Sequence, residues 1–267
     1  MCNQTENHNG KGTFSDSEPR GRLKLAFDWI PEHSETLLDG GCAWGYGTRF
    51  FKLKCRVVYG LDPNKDYIKN AKANFGCIKF VSANLEHLPF RQNHFDVVLL
   101  LDVLEHVTDE LKTLNEVFRV LKSNGMVIIT TPHKGLFSFL DSDNYVFFLR
   151  NKMPTLYRIL FRMRNKKAPE KLKPGYEDRH RHYSFDDLKT LLDESYFRGN
   201  YEIVEIFRSG LFTEPFTANL RLLLSLFLGI RLSLILTKPF TILSNIDHRI
   251  YYGGISYNIA IKLRRIQ

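Results

Sequence analysis

The chain has 267 residues, a formal net charge of +9 and a pI near 9.3. That length can bury a full core and reads most simply as one large domain with insertions, while the excess of base points to acidic partners: nucleic acid, anionic lipid or a phosphorylated substrate. Four cysteines (Cys2, Cys42, Cys55 and Cys77) lack metal-ligand spacing and are read as reduced thiols of a cytoplasmic protein.

Residues 1–20 are polar, lack the apolar stretch of a secretory signal and are expected to form a disordered lead-in. Leu23, Leu25, Ala26, Trp29 and Ile30 then recur at helical spacing and stop at Pro31. Short apolar runs at 36–39, 57–62, 78–81, 95–101 and 126–131 predict strands. Residues 64–74 and 108–121 predict helices, the second ending in Lys122-Ser123-Asn124-Gly125 as a C-cap. Ser184 and Asp187 are placed as N-cap and N3 of a helix running to about residue 195, and strands are expected at 201–207 and 256–263. Val/Ile/Leu-rich strands spaced by helices imply an α/β fold with a parallel sheet covered on both faces. The expected core is 21–207 with 256–267, interrupted by a basic segment at 134–183 and an apolar helical one at 208–255.

The densest signal is Leu37-Leu38-Asp39-Gly40-Gly41-Cys42-Ala43-Trp44-Gly45-Tyr46-Gly47. An apolar strand ends in an acid, and spaced glycines then lead into a helix, so that backbone can approach a nucleotide-like ligand closely. A dinucleotide enzyme would want a tighter glycine pattern with no acid at the strand end, because pyrophosphate repels carboxylate. Asp62 ends the second strand, where it can accept hydrogen bonds from both ribose hydroxyls of a nucleoside. Further on stand Asn84-Leu85-Glu86-His87-Leu88-Pro89-Phe90, Phe95-Asp96-Val97-Val98 and, after strand four, Asp102-Val103-Leu104-Glu105-His106-Val107.

In this order the motifs resemble the class I S-adenosylmethionine-dependent methyltransferases, in the broad group that includes quinone-biosynthesis and sugar O-methyltransferases. The resemblance is strong over residues 22–133 and weak over 180–207 and 256–264. It implies a Rossmann-like, mostly parallel seven-stranded sheet with helices on both faces and two helical insertions at the active-site edge. It also implies that S-adenosyl-L-methionine is the cofactor, with Asp39, Gly41, Ala43 and Gly45 at its methionine part and Asp62 at the ribose. Asn84 and Leu85 would meet the adenine edge, and Asp102 would line the site. Ala43 stands where the family has the middle loop glycine, a small cost if its φ stays negative. Asn84 stands for an acid, its carbonyl still able to accept from an amine. Trp44 either shields the cofactor or packs in the core.

His106 is the candidate general base, since an imidazole can take the proton of an attacking hydroxyl near neutral pH. His133, His180 and His182 are its rivals, unless they belong to a solvated basic loop. No cluster of histidines and acids suggests a metal. Where base-N-methylating enzymes carry Pro-Pro-aromatic after strand four, this chain has Asp102-Val103-Leu104-Glu105, which argues against a nucleic-acid substrate.

Residues 150–173 hold nine bases (Arg150, Lys152, Arg158, Arg162, Arg164, Lys166, Lys167, Lys171 and Lys173) against Glu170 alone. From Pro154 a helix is expected with Leu156, Ile159, Leu160 and Met163 on one face. Residues 220–236 are apolar around the whole circumference, yet Arg221 and Arg231 leave nine residues uninterrupted, too few to span a bilayer. A half-inserted helix or a dimer interface would each satisfy them. Both insertions leave the carboxyl edge of the sheet, where ligands bind. The expected enzyme O-methylates a lipid-linked or amphiphilic small molecule (glycolipid, polyprenyl-linked sugar or quinol type), in the cytoplasm or peripherally on the inner membrane face. An RNA or protein methyltransferase, or an inactive cofactor-binding subunit of a membrane-associated complex, are the alternatives.

Overall fold

The computed structural model describes residues 18–165 and 181–266. The greater part of the expected lead-in, the bases Lys166, Lys167, Lys171 and Lys173 with Glu170, and His180 lie outside the described residues. Helix α1 (Gly21–Trp29) precedes β1 (Thr36–Gly40), α2 (Thr48–Phe51), β2 (Val57–Asp62), α3 (Lys65–Asn74) and β3 (Lys79–Ser82). Strand β4 (Phe95–Leu101), α4 (Glu110–Val120) and β5 (Leu121–Pro132) follow. The rest runs α5 (Ser142–Lys152), α6 (Pro154–Asn165), α7 (Phe185–Glu194), β6 (Tyr201–Ser209), α8 (Thr213–Leu236), α9 (Lys238–Asp247) and β7 (Asn258–Arg265).

The seven strands form one mostly parallel sheet in the order β3-β2-β1-β4-β5-β7-β6. Strands β3, β2, β1, β4 and β5 run parallel, with Asp39 level with Gly60 on one side and Leu99 on the other. Val97, Val98, Leu99 and Leu100 of β4 are all buried, as a strand covered on both faces requires. Strand order reverses between β1 and β4, so the crevice beyond their carboxyl ends is the natural ligand site. At the opposite end Asp96 fixes the register. It accepts from the Thr36 amide (2.9 Å) and hydroxyl (2.7 Å), and Lys122 reaches its other oxygen at 2.8 Å.

Helix starts follow local chemistry. Asn64 Oδ1 accepts from the amides of Asp66 and Tyr67, and Asp109 accepts from that of Lys112. Ser184 and Asp187 form a reciprocal capping box, the Asp187 amide donating to Ser184 Oγ and the Ser184 amide to Asp187 Oδ2. The expected C-cap at 122–125 is not one. Strand β5 already begins at Leu121, which pairs with Phe95, and the register slips before Val97 meets Met126. The intervening residues bulge out of the strand, and the left-handed φ of +62° falls on Asn124, a residue that tolerates it, rather than on Gly125.

Cys42 and Cys55 are buried free thiols, but Cys77, exposed in the turn before β3, is disulfide-bonded. Four reduced thiols were expected; the exposed position of Cys77 leaves its sulfur accessible for pairing, and the redox argument for a cytoplasmic location lapses.

The chain divides into two compact units. Among the described residues, the first takes in 18–130, 188–206 and 260–266, the second 131–165, 181–187 and 207–259. In the second, α5, α6, α8 and α9 pack on one another, and the partly exposed rings of Phe137, Phe212, Phe216 and Phe240 form a chain with centroids 5.1, 5.2 and 5.5 Å apart. Asp247, at the end of α9, closes the start of α8 by accepting from the Leu211 amide (3.0 Å) and the Thr213 hydroxyl (2.6 Å).

Candidate active site

The loop after β1 is built against β2. The amides of Gly41 and Cys42 both donate to the Leu61 carbonyl, at 2.7 and 3.0 Å, which turns the chain sharply at the strand end. Gly41 and Gly45 take φ of +77° and +75°. A Cβ on Gly41 would fall 2.3 Å from Cγ2 of Val103, and one on Gly45 would fall 2.6 Å from Cζ of Phe80. Both positions therefore exclude side chains on two grounds, backbone conformation and space. Val103, in the segment after β4, is thus the residue that presses the end of β4 onto the loop. Sequence reasoning passed over it, because a valine among apolar residues carries no signal of its own.

The condition on which Ala43 would cost little, a negative φ, is not met. The residue sits at +45°, in the left-handed region that costs an L-residue about 1–2 kcal/mol. What holds it there is Asp62, whose Oδ2 accepts from the Ala43 amide at 3.0 Å while Oδ1 accepts from the Asn64 amide at 2.8 Å. Burial raises the Asp62 pKa above its ordinary range, against the lowering effect of these two amides. A carboxylate has about four acceptor positions, so both oxygens keep room for a ligand hydroxyl.

Asp39 is more deeply placed. Burial pushes its carboxyl up to about 7, with the Thr48 hydroxyl (2.6 Å) pulling the other way and the nearby charge of Asp62 adding to the rise. Two acids are therefore held close together in a poorly solvated cleft, an arrangement that a cation would relieve.

Leu85 is buried against Gly40, where a Cβ would meet its Cδ2 at 2.8 Å. Asn84 is exposed, and its amide oxygen accepts from the Glu86 amide at 3.1 Å. That carbonyl, expected to face an amine of the ligand, also serves the turn, because an Asx oxygen reaches the amide two residues on; its second lone pair can still accept. The turn is anchored from α4. Glu116 accepts from the Leu88 amide at 2.7 Å, and Arg119 donates to the Leu88 and Phe90 carbonyls at 2.9 and 2.7 Å. Asp102 has a φ of +54°, accepts from the Thr130 hydroxyl at 2.9 Å and pairs with Arg22 of α1 at 3.1 Å. Trp44 is not core: it is half-exposed, with its ring 4.3 Å from that of Tyr67 at the start of α3.

His106 lies half-buried on the one-turn 3-10 helix after β4, its amide donating to the Val103 carbonyl at 2.9 Å. His133 and His182 belong to the second unit and are not in a solvated loop. His133 is buried, with Nδ1 3.0 Å from the Ser256 carbonyl, and burial lowers its pKa. His182 Nε2 is 2.8 Å from Asp141 Oδ2. A groove of about 430 Å³ in the first unit, lined by Asn93, Lys112, Glu116, Arg119 and Arg265 among others, contains none of the residues of the loop cluster.

The family model described as a methyltransferase domain matches residues 38–129, the stretch from β1 to β5. A demethylmenaquinone methyltransferase of Lactococcus lactis is 31% identical over 186 residues, covering 66% of this chain and 69% of that protein. The chain belongs to the class I S-adenosylmethionine-dependent methyltransferases. The ubiquinone/menaquinone biosynthesis C-methyltransferase UbiE of Haemophilus ducreyi is 32% identical over 142 residues, 53% of this chain and 52% of the relative. A Mycolicibacterium smegmatis protein named for S-adenosylmethionine-dependent methyl transfer is 32% identical over 102 residues. The match spans only 40% of that protein's length. Among solved structures, a SAM-dependent methyltransferase of Methanosarcina mazei superposes with a TM-score of 0.51 at 18% identity, over 91% of this chain and 97% of that one. The [4+2]-cyclase SpnF does so at 0.55 and 15%, over 91% and 79%. At such identities the likeness shows the fold, and the cyclase illustrates that this fold does not dictate one reaction.

S-adenosylmethionine is the cofactor of this family, and the residues present fit it. Its cationic methionine end suits the buried Asp39, and its ribose hydroxyls suit the spare acceptor positions of Asp62. The glycines at 41 and 45 let Val103 and Phe80 close on the loop and so fix its path beside these two acids.

Proposed function

We propose that the protein transfers a methyl group from S-adenosylmethionine to an oxygen of a lipid-linked or amphiphilic small molecule. The cofactor, when bound, supplies a methyl group activated by its positive sulfur. The chain's own residues hold and orient: Asp39 and the loop take the methionine end, Asp62 the ribose, Asn84 and Leu85 the adenine edge, and Asp102 lines the site. His106 accepts the acceptor's hydroxyl proton on an imidazole nitrogen as the new carbon–oxygen bond forms, so that no charged intermediate is released into water. Most of the acceleration comes from alignment of acceptor and methyl group.

The observation that carries the acceptor class is the apolar surface of α8 and α9, where Phe227 is 74% and Ile235 66% exposed in a chain that also bears the cofactor loop. A second reading has support of its own. The Lactococcus and Haemophilus relatives are named for quinone biosynthesis, and the latter for C-methylation, so a ring carbon of a quinol-type acceptor is the competing target.

Incubation with methyl-tritiated cofactor, followed by separate extraction of lipid, RNA and protein, tests the proposal. Label is expected in the organic phase, and base-stability of the product distinguishes a methyl ether from methyl esters. Label confined to RNA or protein overturns it. His106→Asn is expected to lower turnover about 10²–10⁴-fold while leaving cofactor affinity unchanged in calorimetry.

A further inference from the structure

Helices α8 and α9 are built inside out for a protein in water. Ser225, Ser233, Thr237 and Ser244 are buried within the second unit, while Leu223, Phe227, Leu232, Ile235, Ile242 and Ile246 are exposed. The buried hydroxyls are satisfied locally: Ser225 donates to the Leu222 carbonyl, Ser233 to that of Ile230 and Thr237 to that of Ser233. Small residues at the helix contact, with hydroxyls bonded back along the helix and large aliphatics outside, are the packing pattern of helices surrounded by lipid. An exposed helix in water buries the opposite face.

We propose that this α8–α9 hairpin is a monotopic anchor that enters one leaflet of an anionic bilayer. Against the expectation that the charges at Arg221 and Arg231 make it too short, α8 is by length and composition long and apolar enough to cross a membrane, its most apolar 18-residue stretch having a mean hydropathy of 1.7. Yet Gly229 breaks it with φ 78° and ψ 166°, a backbone conformation essentially confined to glycine. The leg before the break, residues 213–228, is about 24 Å long and the leg after it, residues 230–236, about 11 Å; a hydrocarbon core is about 30 Å. The hairpin therefore turns inside the apolar layer instead of leaving on the far side. Arg221 is no obstacle to this, since its guanidinium bonds Thr237 and Thr241 of the returning leg at 3.1 and 3.0 Å.

Charge selects the occupant. Helices α5 and α6, packed against α8, carry Arg150, Lys152, Arg158, Arg162 and Arg164 against the single acid Asp143. On the hairpin itself Lys238 is exposed at the end of the second leg, while Arg231, two residues past the Gly229 break, stands at the tip and reaches headgroups only by extending its aliphatic stem back toward the interface. Its two acids are engaged within the unit, Glu214 with Asn258 and Asp247 with Thr213. A second copy docked on this face would bring like charges together, whereas anionic headgroups complement them. The anchor does not depend on which acceptor is methylated, and binding to lipid is read separately from turnover.

Flotation of the full chain with vesicles of phosphatidylcholine alone, or mixed with phosphatidylglycerol, tests it. Binding is expected to be at least about tenfold tighter to the mixed vesicles and to weaken with salt. The pair Phe227→Asp and Ile235→Asp is expected to abolish flotation while cofactor binding by calorimetry persists, which shows the variant to be folded. Phe227→Trp is expected to be quenched by spin labels placed in the contacted leaflet. Absence of flotation of the unaltered chain at low salt, flotation that survives the double substitution, or a dimer that forms through this face without vesicle binding each overturns the proposal.

Discussion

Burial raises Asp39 to a pKa of about 7, from an ordinary value of 3.8, and this has two consequences of opposite sign. Between those values the folded protein holds a proton that the unfolded chain has released. Stability therefore falls as pH rises from about 4 to about 7, by at most about 1.4 kcal/mol per pH unit, and levels off above. Asp39→Asn is expected to remove that slope from urea melts. Cofactor binding runs the other way. A cationic ligand favours ionised Asp39, so affinity is expected to rise with pH through neutrality and one proton to be released on binding. Calorimetry in buffers of different ionisation enthalpy measures this release. At Asp62, replacement by Ala removes an acceptor of ligand hydroxyls as well as the clamp on Ala43. A loss of about 10–100-fold in cofactor affinity is expected, corresponding to about 1.5–3 kcal/mol for a charged hydrogen bond. A titration showing unchanged affinity would remove Asp62 from the site.

At the scale of elements, the loop between β1 and α2 stores strain at Ala43 and exploits glycine at Gly41. Ala43→Gly is expected to stabilise the protein by about 0.5–1 kcal/mol, the relief of a left-handed φ less the extra chain entropy of glycine. Gly41→Ala is expected to cost about 2 kcal/mol or more, through its φ and the contact with Val103. In a double-mutant cycle with Val103→Ala, the steric share of that cost is recovered and the conformational share is not. Thermal and urea unfolding measure both. These residues also mark where the sequence is readable. Asn64, Asp109 and Ser184 declare their helix starts because a cap is a contact between near neighbours. Gly41, Gly45 and Asp62 are legible as a motif, but the reasons for two of them, Val103 after β4 and Phe80 in β3, come from distant parts of the chain. The positive φ of Ala43, the burial of His133 under Ser256 and the anchoring of the 84–90 turn by Arg119 depend equally on distant partners. No local pattern contains them.

At the scale of the whole molecule, a family sheet carries the cofactor loop in one compact unit, and the second unit holds the apolar hairpin. The alternation of strands and helices was enough to anticipate the sheet. The inverted burial of the hairpin was not legible, because composition says that residues 220–236 are apolar but not which face turns outward. The placement of Ser225 and Ser233 inside decides that, and it emerges only from the folded second unit.

The break at Gly229 has a mechanical consequence. A wedge that ends within one leaflet enlarges the area of that leaflet alone and leaves its neighbour unchanged, so a flat sheet must bend or compress its lipids to admit it. Small vesicles, whose outer leaflet is already stretched, accept the wedge more readily. Affinity is accordingly expected to climb as vesicle diameter shrinks at constant lipid area, and to lose that dependence when the hairpin tip is made polar. The same bend that would keep the proposed anchor from crossing the bilayer would thus make it sensitive to curvature.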